Sequence, residues 1–262
     1  MPEREELLLN PKELSIPPEI RPMIPVETFK PPRELGKFIV EPKLNGIRGI
    51  ARISSGGGRI DITSKSGRNV ADSFPEIVKG LARLGQKRSM VLDGEIIYAG
   101  GQTDKERGIV VGRSNSIPKL WLPTENPCAF VVFDLLYEDG KDLRHVPLRS
   151  RKSRLSQILH VRDRQKKLGI ARIDFAETKL FEYTTRALAQ GYEGVVYKLK
   201  NGIYVSRRST SWLKLKFPDY ARPNSQNNLT SLNDQSSPDI VQEIDLQEHQ
   251  VLGQSGLESL NQ

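Results

Sequence analysis

The chain has 262 residues, with 40 Lys and Arg against 32 Asp and Glu, a formal net charge of +8 and 37% apolar residues. This length can build one large domain or two small ones, and the composition is that of a globular protein with a polar excess. The single cysteine excludes an intramolecular disulfide, and no apolar run approaches the roughly 20 residues of a membrane span, so we expect a soluble, intracellular (cytoplasmic) protein.

The distribution of charge and composition divides the chain into three segments. Residues 1–20 form an N-terminal extension without the basic start and long apolar run of a signal peptide. Residues 221–262 hold six acidic side chains and one basic one, a formal charge of −5, which leaves +13 on residues 1–220. They are rich in Gln, Asn, Ser and Asp, so we expect an acidic, disordered tail. Residues 21–220 form the folded body, whose positive charge favours a partner such as nucleic acid.

Within the body, strands and a few helices alternate. We predict strands at 37–43, 46–53, 59–63, 90–98, 129–137, 194–199 and 212–217, and helices at 74–84, 155–159 and 180–188. The Asn45-Gly46 pair predicts that the first two strands form a hairpin. Residues 100–127 lack a clear period, and we interpret them as a long loop. Mixed strands with helices packed outside them predict an α+β fold.

Three details of this pattern concern particular side chains. Cys128, just before an apolar strand, is interpreted as a small buried residue, and Asp93 as a turn residue only. The predicted helix around Leu155 has a second face that is basic, formed by Arg149, Arg151, Lys152 and Arg154. We expect that basic face to lie opposite the apolar one.

Six short motifs follow one another through the body. They are Lys43-Leu-Asn-Gly-Ile-Arg48, Ser64-Lys-Ser-Gly67, Leu92-Asp-Gly-Glu95, Phe133-Asp-Leu-Leu-Tyr137, Glu193-Gly-Val-Val-Tyr-Lys198 and Trp212-Leu-Lys-Leu-Lys216. Together they supply a lysine nucleophile, two glutamates in apolar surroundings, an aromatic ring and several further cations. Such a set can bind a nucleotide and attack its phosphate.

The order of these motifs resembles the covalent nucleotidyltransferase superfamily, and most closely the adenylation domain of ATP-dependent DNA ligases, over residues 21–217. The resemblance implies an ATP-grasp-like nucleotidyltransferase domain with mixed or antiparallel sheets. It also implies that Lys43 attacks the α-phosphate of ATP, forming a lysyl-AMP phosphoramidate and releasing pyrophosphate. The amine must be deprotonated to do so, and burial, bound metal or the charges of Lys198, Lys214 and Lys216 would lower its pKa.

The resemblance also implies roles for the residues around the base and the metal. Glu41 would contact adenine, Arg48 the nucleotide, and the ring of Phe133 would stack on adenine; a Phe in an apolar strand is otherwise a core residue. Glu95 and Glu193 would bind Mg²⁺ or ribose, because this hard cation takes carboxylate oxygens together with phosphate. Salt bridges to buried lysines are the alternative for both glutamates.

The remaining cations would contact phosphate or ribose. Strand alternation puts Lys214 and Lys216 on one face, where they can meet a triphosphate; a solvated edge strand is the alternative. Lys65 stands where the family usually has Arg, which keeps the charge but loses the bidentate fork. Asn45 stands where the family usually has Asp, and therefore loses a negative charge while keeping the turn preference.

A third departure concerns the end of the chain. Family ligases continue into an OB-fold domain with a basic motif that orients pyrophosphate, and residues 221–262 do not resemble one. Either self-adenylation is inefficient, a separate protein supplies the OB-fold, or this lineage manages without it.

The sequence therefore predicts a minimal ATP-dependent DNA ligase, a monomer that uses ATP and Mg²⁺ and acts on nicked double-stranded DNA in repair or recombination. An RNA ligase with an RNA substrate is one alternative, which Asn45 slightly favours. A non-catalytic protein that binds nicked DNA is the other.

Overall fold

A computed structural model describes residues 20–101, 103–116, 127–159 and 169–218. The predicted tail and all but the last residue of the predicted N-terminal extension lie outside these ranges. The described chain forms two β-sheets with helices packed against them, which confirms the α+β class. None of the helices in the described ranges is both long and apolar enough to cross a membrane.

The first sheet has four strands in the order β1-β10-β9-β2. They are β1 (Ile24–Thr28), β2 (Phe38–Pro42), β9 (Gly194–Leu199) and β10 (Arg208–Lys216). β1 runs parallel to β10, whereas the other two pairs are antiparallel.

The second sheet has six strands in the order β4-β3-β5-β6-β7, with β8 parallel to β6. They are β3 (Ile47–Ile53), β4 (Ile60–Ser64), β5 (Met90–Tyr98), β6 (Cys128–Glu138), β7 (Lys141–Asp142) and β8 (Ile170–Arg172). β5 and β6 are apolar and largely buried, and they form the centre of this sheet.

Four α-helices and two short 3-10 helices complete the described elements. The α-helices are α1 (Pro75–Gly85), α2 (Asp104–Asn115), α3 (Leu148–Ile158) and α4 (Leu180–Ala189), and the 3-10 helices are Leu35–Lys37 and Ala71–Ser73. The predicted apolar face of α1 is buried at Ile77 and Leu81. Pro75 begins this helix, where its missing N–H costs no hydrogen bond.

Three apolar clusters hold these elements together. The first lies between the second sheet and α1, and the third between the first sheet and α4. The second cluster joins the two sheets, because it contains Val91 and Phe133 of one and Trp212 of the other. Cys128 is buried in the first cluster, as predicted. Burial raises the pKa of its thiol to about 11.

The predicted hairpin at Asn45-Gly46 is wrong. β2 pairs with β9 in the first sheet, whereas β3 pairs with β4 and β5 in the second. Residues 43–46 are therefore the connection from one sheet to the other. Gly46 is needed for a close approach, because a Cβ at this position would overlap the carbonyl oxygen of Ile96.

Two further expectations are also corrected. The segment 100–127 is not simply a loop, because it contains α2, which begins with a capping box between Thr103 and Glu106. The basic face of α3 is not wholly solvent-facing, because Arg151 and Lys152 are buried. Arg151 forms a bidentate ion pair with Asp134, at 2.8 Å for both contacts.

Candidate active site

An open cavity of about 110 Å³ lies where the two sheets meet. Both sheets and the connection between them line it with Pro25, Glu41, Lys43, Leu44, Arg48, Glu95, Phe133, Val196, Lys198, Trp212 and Lys214. Seven of the ten residues that the motifs assigned to the site are in this wall. The structure therefore brings together residues that are up to 173 positions apart in the sequence.

Lys43 lies in the connection between the sheets, beside the start of β9, the strand that follows Glu193. Its backbone N–H donates to the carbonyl of Gly194 over 2.8 Å, which fixes the connection against β9. Its ammonium forms an ion pair with the carboxylate of Glu193. Burial lowers the pKa of Lys43 to about 8; the charges of Lys214 and Lys216 act in the same direction, whereas Glu95 opposes them.

Glu95 is the second carboxylate of the site. It lies on β5 opposite Arg48 of β3, and both side chains line the cavity. Burial raises the pKa of Glu95 to about 7. Within the described ranges the carboxylate of Glu95 has no ion-pair or hydrogen-bond partner, so a cation bound in the cavity would stabilise its charged form.

The donor set near Lys43 fits Mg²⁺ rather than a metal held by protein alone. The described residues contain no group of three or more His, Cys, Asp or Glu side chains that could hold a metal ion. Mg²⁺ keeps several waters and is typically bound by one or two carboxylates together with substrate phosphates. Glu95 and Glu193 can supply that number.

Glu41 is at the centre of a buried charge network. Its carboxylate forms ion pairs with Lys152 of α3 and with Lys198 of β9, the latter over 2.6 Å. All three side chains are at most 3% exposed. The ammonium of Lys198 lies over the rings of Phe133 and Trp212, 4.1 and 3.9 Å from their centroids, and burial lowers its pKa to about 8.

Arg48 is held by a group that sequence reasoning missed. Asp93, interpreted as a turn residue, lies fully buried in β5 and accepts two hydrogen bonds from Arg48, over 2.5 and 2.6 Å. The hydroxyl of Tyr204 donates to the same carboxylate over 2.7 Å. The Arg48 guanidinium also lies over the ring of Phe133, 4.5 Å from its centroid. Phe133 is therefore both a core residue and a wall of the cavity.

The remaining predicted cations divide into two groups. Lys214 lines the cavity and forms an ion pair with Glu27 over 2.7 Å. Lys216 is half-exposed, 3.7 Å from the same carboxylate, and does not line the cavity. Lys65 is exposed in the turn after β4 and does not line it either.

Asp93, Lys152 and Tyr204 were missed because each acts through a partner that is distant in the sequence. Tyr204 is 111 residues from Asp93, and Lys152 belongs to a helix that looked basic and exposed. The Val-Leu-Asp-Gly-Glu-Ile-Ile context of Asp93 was the available signal, because a carboxylate in an apolar strand needs a partner.

Two sheets that meet at a cavity, with a lysine paired with one carboxylate and a second carboxylate in the cavity wall, are the arrangement of a covalent nucleotidyltransferase. This agrees with the class that the order of the motifs indicated. Residues 26–216 match the family model described as ATP dependent DNA ligase domain. The chain belongs to this family.

Known proteins support the assignment. The chain is 33% identical over 210 residues to the multifunctional non-homologous end joining protein LigD of Pseudomonas aeruginosa, covering 77% of this chain and 22% of that protein. A DNA ligase of Sulfolobus acidocaldarius is 32% identical over 220 residues, covering 78% of this chain and 35% of that ligase. The chain thus spans only 22% and 35% of the length of these two relatives.

A solved structure shows the same fold. It is described as mycobacterial DNA ligase D complexed with ATP and MES, and it superposes with a TM-score of 0.57 at 22% sequence identity. The match covers 75% of this chain and 60% of that one.

Proposed function

We propose that this chain is a minimal ATP-dependent DNA ligase that seals nicks through a lysyl-AMP intermediate, in DNA repair or recombination. One observation supports it above the others: Lys43 projects into a cavity where burial lowers its pKa to about 8. At pH 7 this pKa leaves roughly a tenth of the amines un-ionised, about 300 times the fraction at the ordinary pKa of 10.5. The amine is therefore available as a nucleophile.

In the first step, the lone pair of the Lys43 Nζ attacks the α-phosphorus of ATP. A P–N bond forms, the P–O bond to pyrophosphate breaks, and the amine gives up its proton. Glu193 holds the amine in the resting site, and Lys198 and Lys214 lie close enough to stabilise negative charge on the phosphates. Mg²⁺, bound by Glu95 and Glu193, would neutralise charge on the triphosphate.

We infer that the adenine ring binds against the aromatic and aliphatic lining of the cavity. Phe133 and Val196 supply apolar lining, and Glu41 would supply an acceptor for the amino group of the base. Because two lysines hold Glu41, its carboxylate is fixed in place before the nucleotide binds.

The second and third steps transfer AMP and then release it. The 5′-phosphate at a nick attacks the phosphorus of lysyl-AMP, and the P–N bond breaks as Lys43 regains its proton. The 3′-hydroxyl then attacks the activated 5′-phosphate, forms the phosphodiester and expels AMP. The +13 charge of residues 1–220 supports binding of duplex DNA through its phosphates.

The test is covalent labelling with α-labelled ATP and Mg²⁺. Wild-type protein should form an acid-labile labelled adduct, Lys43→Ala should form none, and Lys37→Ala, which removes an exposed lysine, should behave like wild type. Sealing of nicked DNA and of nicked RNA is then measured with the labelled protein. Binding of nicked DNA without any adduct would show that the protein is a non-catalytic nick binder. Sealing of RNA alone would show that it is an RNA ligase.

A further inference from the structure

Helix α2 is fixed against the connection that carries Lys43. The side-chain amide of the buried Asn45 donates to the carboxylate of Asp104, in the first turn of α2, over 2.8 Å. The capping box of Thr103 and Glu106 closes the same turn. In the middle of the helix, Val110 is buried in the first cluster. The first turn of the helix is therefore held in a defined orientation against the connection that carries Lys43.

Arg107 is on the same face of α2 as Asp104, the residue that contacts the connection carrying Lys43. It follows Asp104 by three residues, and residues at this spacing are neighbours on a helix surface. Its side chain is exposed, and in the described part of the chain its guanidinium forms no ion pair or side-chain hydrogen bond. Asp104 does not neutralise it by direct contact, because the described contact of that carboxylate is with Asn45.

The charge of Arg107 reaches the reactive groups. The positive charge of Arg107 interacts electrostatically with both Lys43 and Glu95. A guanidinium that is pre-positioned with its donors available suits a phosphate group, with which it can form two parallel hydrogen bonds.

We propose that Arg107 is a phosphate-binding residue at the mouth of the cavity, which contacts a terminal phosphate of a substrate of Lys43. Two substrates present the same chemistry there, the β- and γ-phosphates of a nucleoside triphosphate and the 5′-phosphate of a nicked strand. The identity of these substrates rests on the proposed function. Phosphate binding by Arg107 rests on the geometry of α2.

Equilibrium binding to the full-length Lys43→Ala protein tests the proposal without turnover. Four ligands are titrated: ATP, AMP, a nicked duplex with a 5′-phosphate and the same duplex with a 5′-hydroxyl. Arg107→Ala in this background is compared with Lys105→Ala, because Lys105 carries the same charge on the opposite face of the same helix. Thermal unfolding of both variants checks that the fold is retained.

We expect Arg107→Ala to bind either ATP or the 5′-phosphate nick about tenfold more weakly, while its affinity for the matching AMP or 5′-hydroxyl nick is unchanged. Loss for ATP but not AMP assigns Arg107 to the triphosphate, and loss for the 5′-phosphate nick but not the 5′-hydroxyl nick assigns it to the nick. Equal binding by both variants for all four ligands overturns the proposal. So does an equal loss for both nicks without a loss for ATP, which would make Arg107 a general DNA contact.

This outcome is separable from the proposed function. If wild-type protein forms no lysyl-AMP while Arg107→Ala selectively weakens phosphate binding, the ligase assignment fails and the phosphate site stands. If wild-type protein forms lysyl-AMP and Arg107→Ala binds all four ligands like Lys105→Ala, the phosphate site at Arg107 is excluded and the ligase assignment is supported.

Discussion

Lys43 and Glu193 form an ion pair in which neither side chain is more than 24% exposed. The same loss of hydration lowers the pKa of Lys43 to about 8 and raises the pKa of Glu95 to about 7. The two shifts have opposite signs because burial penalises the charged form of each group. As a result, a neutral amine and a charged carboxylate can coexist slightly above neutral pH.

The first prediction concerns the pH dependence of adenylation. The rate should rise with pH, because ionisation of Glu95 near 7 and deprotonation of Lys43 near 8 both favour the reaction, and it should level off above about 9. Single-turnover formation of lysyl-AMP between pH 6 and 9.5 measures it. A rate that is flat, or that falls as the pH rises through 8, contradicts this account of the nucleophile.

The second prediction separates the two roles of Glu193. Glu193→Gln removes a negative charge that stabilises the ammonium of Lys43, so the alkaline inflection should move to lower pH. The maximum rate should fall as well if Glu193 is the Mg²⁺ ligand that we propose. Glu182→Gln, an exposed carboxylate on α4, is the control and should change neither quantity. An unchanged or upward-shifted inflection in Glu193→Gln would show that the ion pair is unimportant in solution.

At the scale of elements, α3 supports the cavity from outside it. Arg151 and Asp134 are both fully buried, so this helix is joined to β6 by an ion pair in a low-dielectric environment. Lys152, the next residue, reaches Glu41 at the cavity. Two adjacent cations of one helix thus connect the second sheet and the first.

The third prediction compares buried and exposed cations of α3. Arg151→Met leaves the buried Asp134 without its partner and should lower the free energy of unfolding by about 3 to 5 kcal/mol. Arg154→Met, which removes a half-exposed partner of Glu138, should cost less than about 1 kcal/mol. Urea unfolding curves of the two variants provide the measurement. Similar costs for both would mean that Asp134 finds water or another donor.

Local sequence predicted the elements that have a clear period and missed those that depend on partners. β5 and β9 have the predicted bounds, because their apolar runs are bounded by turn residues. α2 was missed because its apolar residues are consecutive and only Val110 of them is buried, so no one-sided stripe exists. β1 is short and joins the first sheet through a partner more than 180 residues away.

The same distinction applies to the site. Lys43, Glu95 and Glu193 could be predicted from motif order; the structure places Lys43 and Glu95 in the wall of one cavity and pairs Glu193 with Lys43. The predicted hairpin does not form. Asn45-Gly46 is only a local turn signal, and the strands on either side of it pair in different sheets. Long-range strand pairing therefore outweighs the local turn preference.

At the scale of the whole molecule, the two sheets are joined by polar as well as apolar contacts. Asp93 of the second sheet accepts from the hydroxyl of Tyr204, which lies between β9 and β10 of the first sheet. The same hydroxyl accepts from the backbone N–H of Met23, before β1. This bridge holds Arg48 at the cavity, because Asp93 is also its partner.

The fourth prediction follows from that bridge. Tyr204→Phe removes one donor from a buried carboxylate and one acceptor from a buried N–H, and should destabilise the fold by about 1 to 3 kcal/mol. It should also weaken ATP binding, since Arg48 loses part of its support. Tyr98→Phe, at a half-buried position, is the control. Unchanged stability and affinity in Tyr204→Phe would show that Asp93 and Arg48 form a sufficient unit by themselves.

The fifth prediction concerns the charge of residues 221–262. Replacing their six acidic side chains by the corresponding amides leaves +13 on residues 1–220 without the opposing charge. Affinity for intact duplex should increase at low salt, and the difference from wild type should disappear near 1 M salt, where charges are screened within a few ångströms. Fluorescence anisotropy across a salt series provides the measurement. Equal affinities at low salt would show that the acidic side chains do not compete with DNA.

The burial of Cys128 makes this chain convenient for spectroscopy. A thiol with a pKa of about 11, enclosed by the first cluster, is almost entirely protonated at neutral pH and reacts slowly with maleimides. A cysteine introduced at an exposed position, such as Lys105 of α2, would therefore be labelled selectively in the otherwise native sequence.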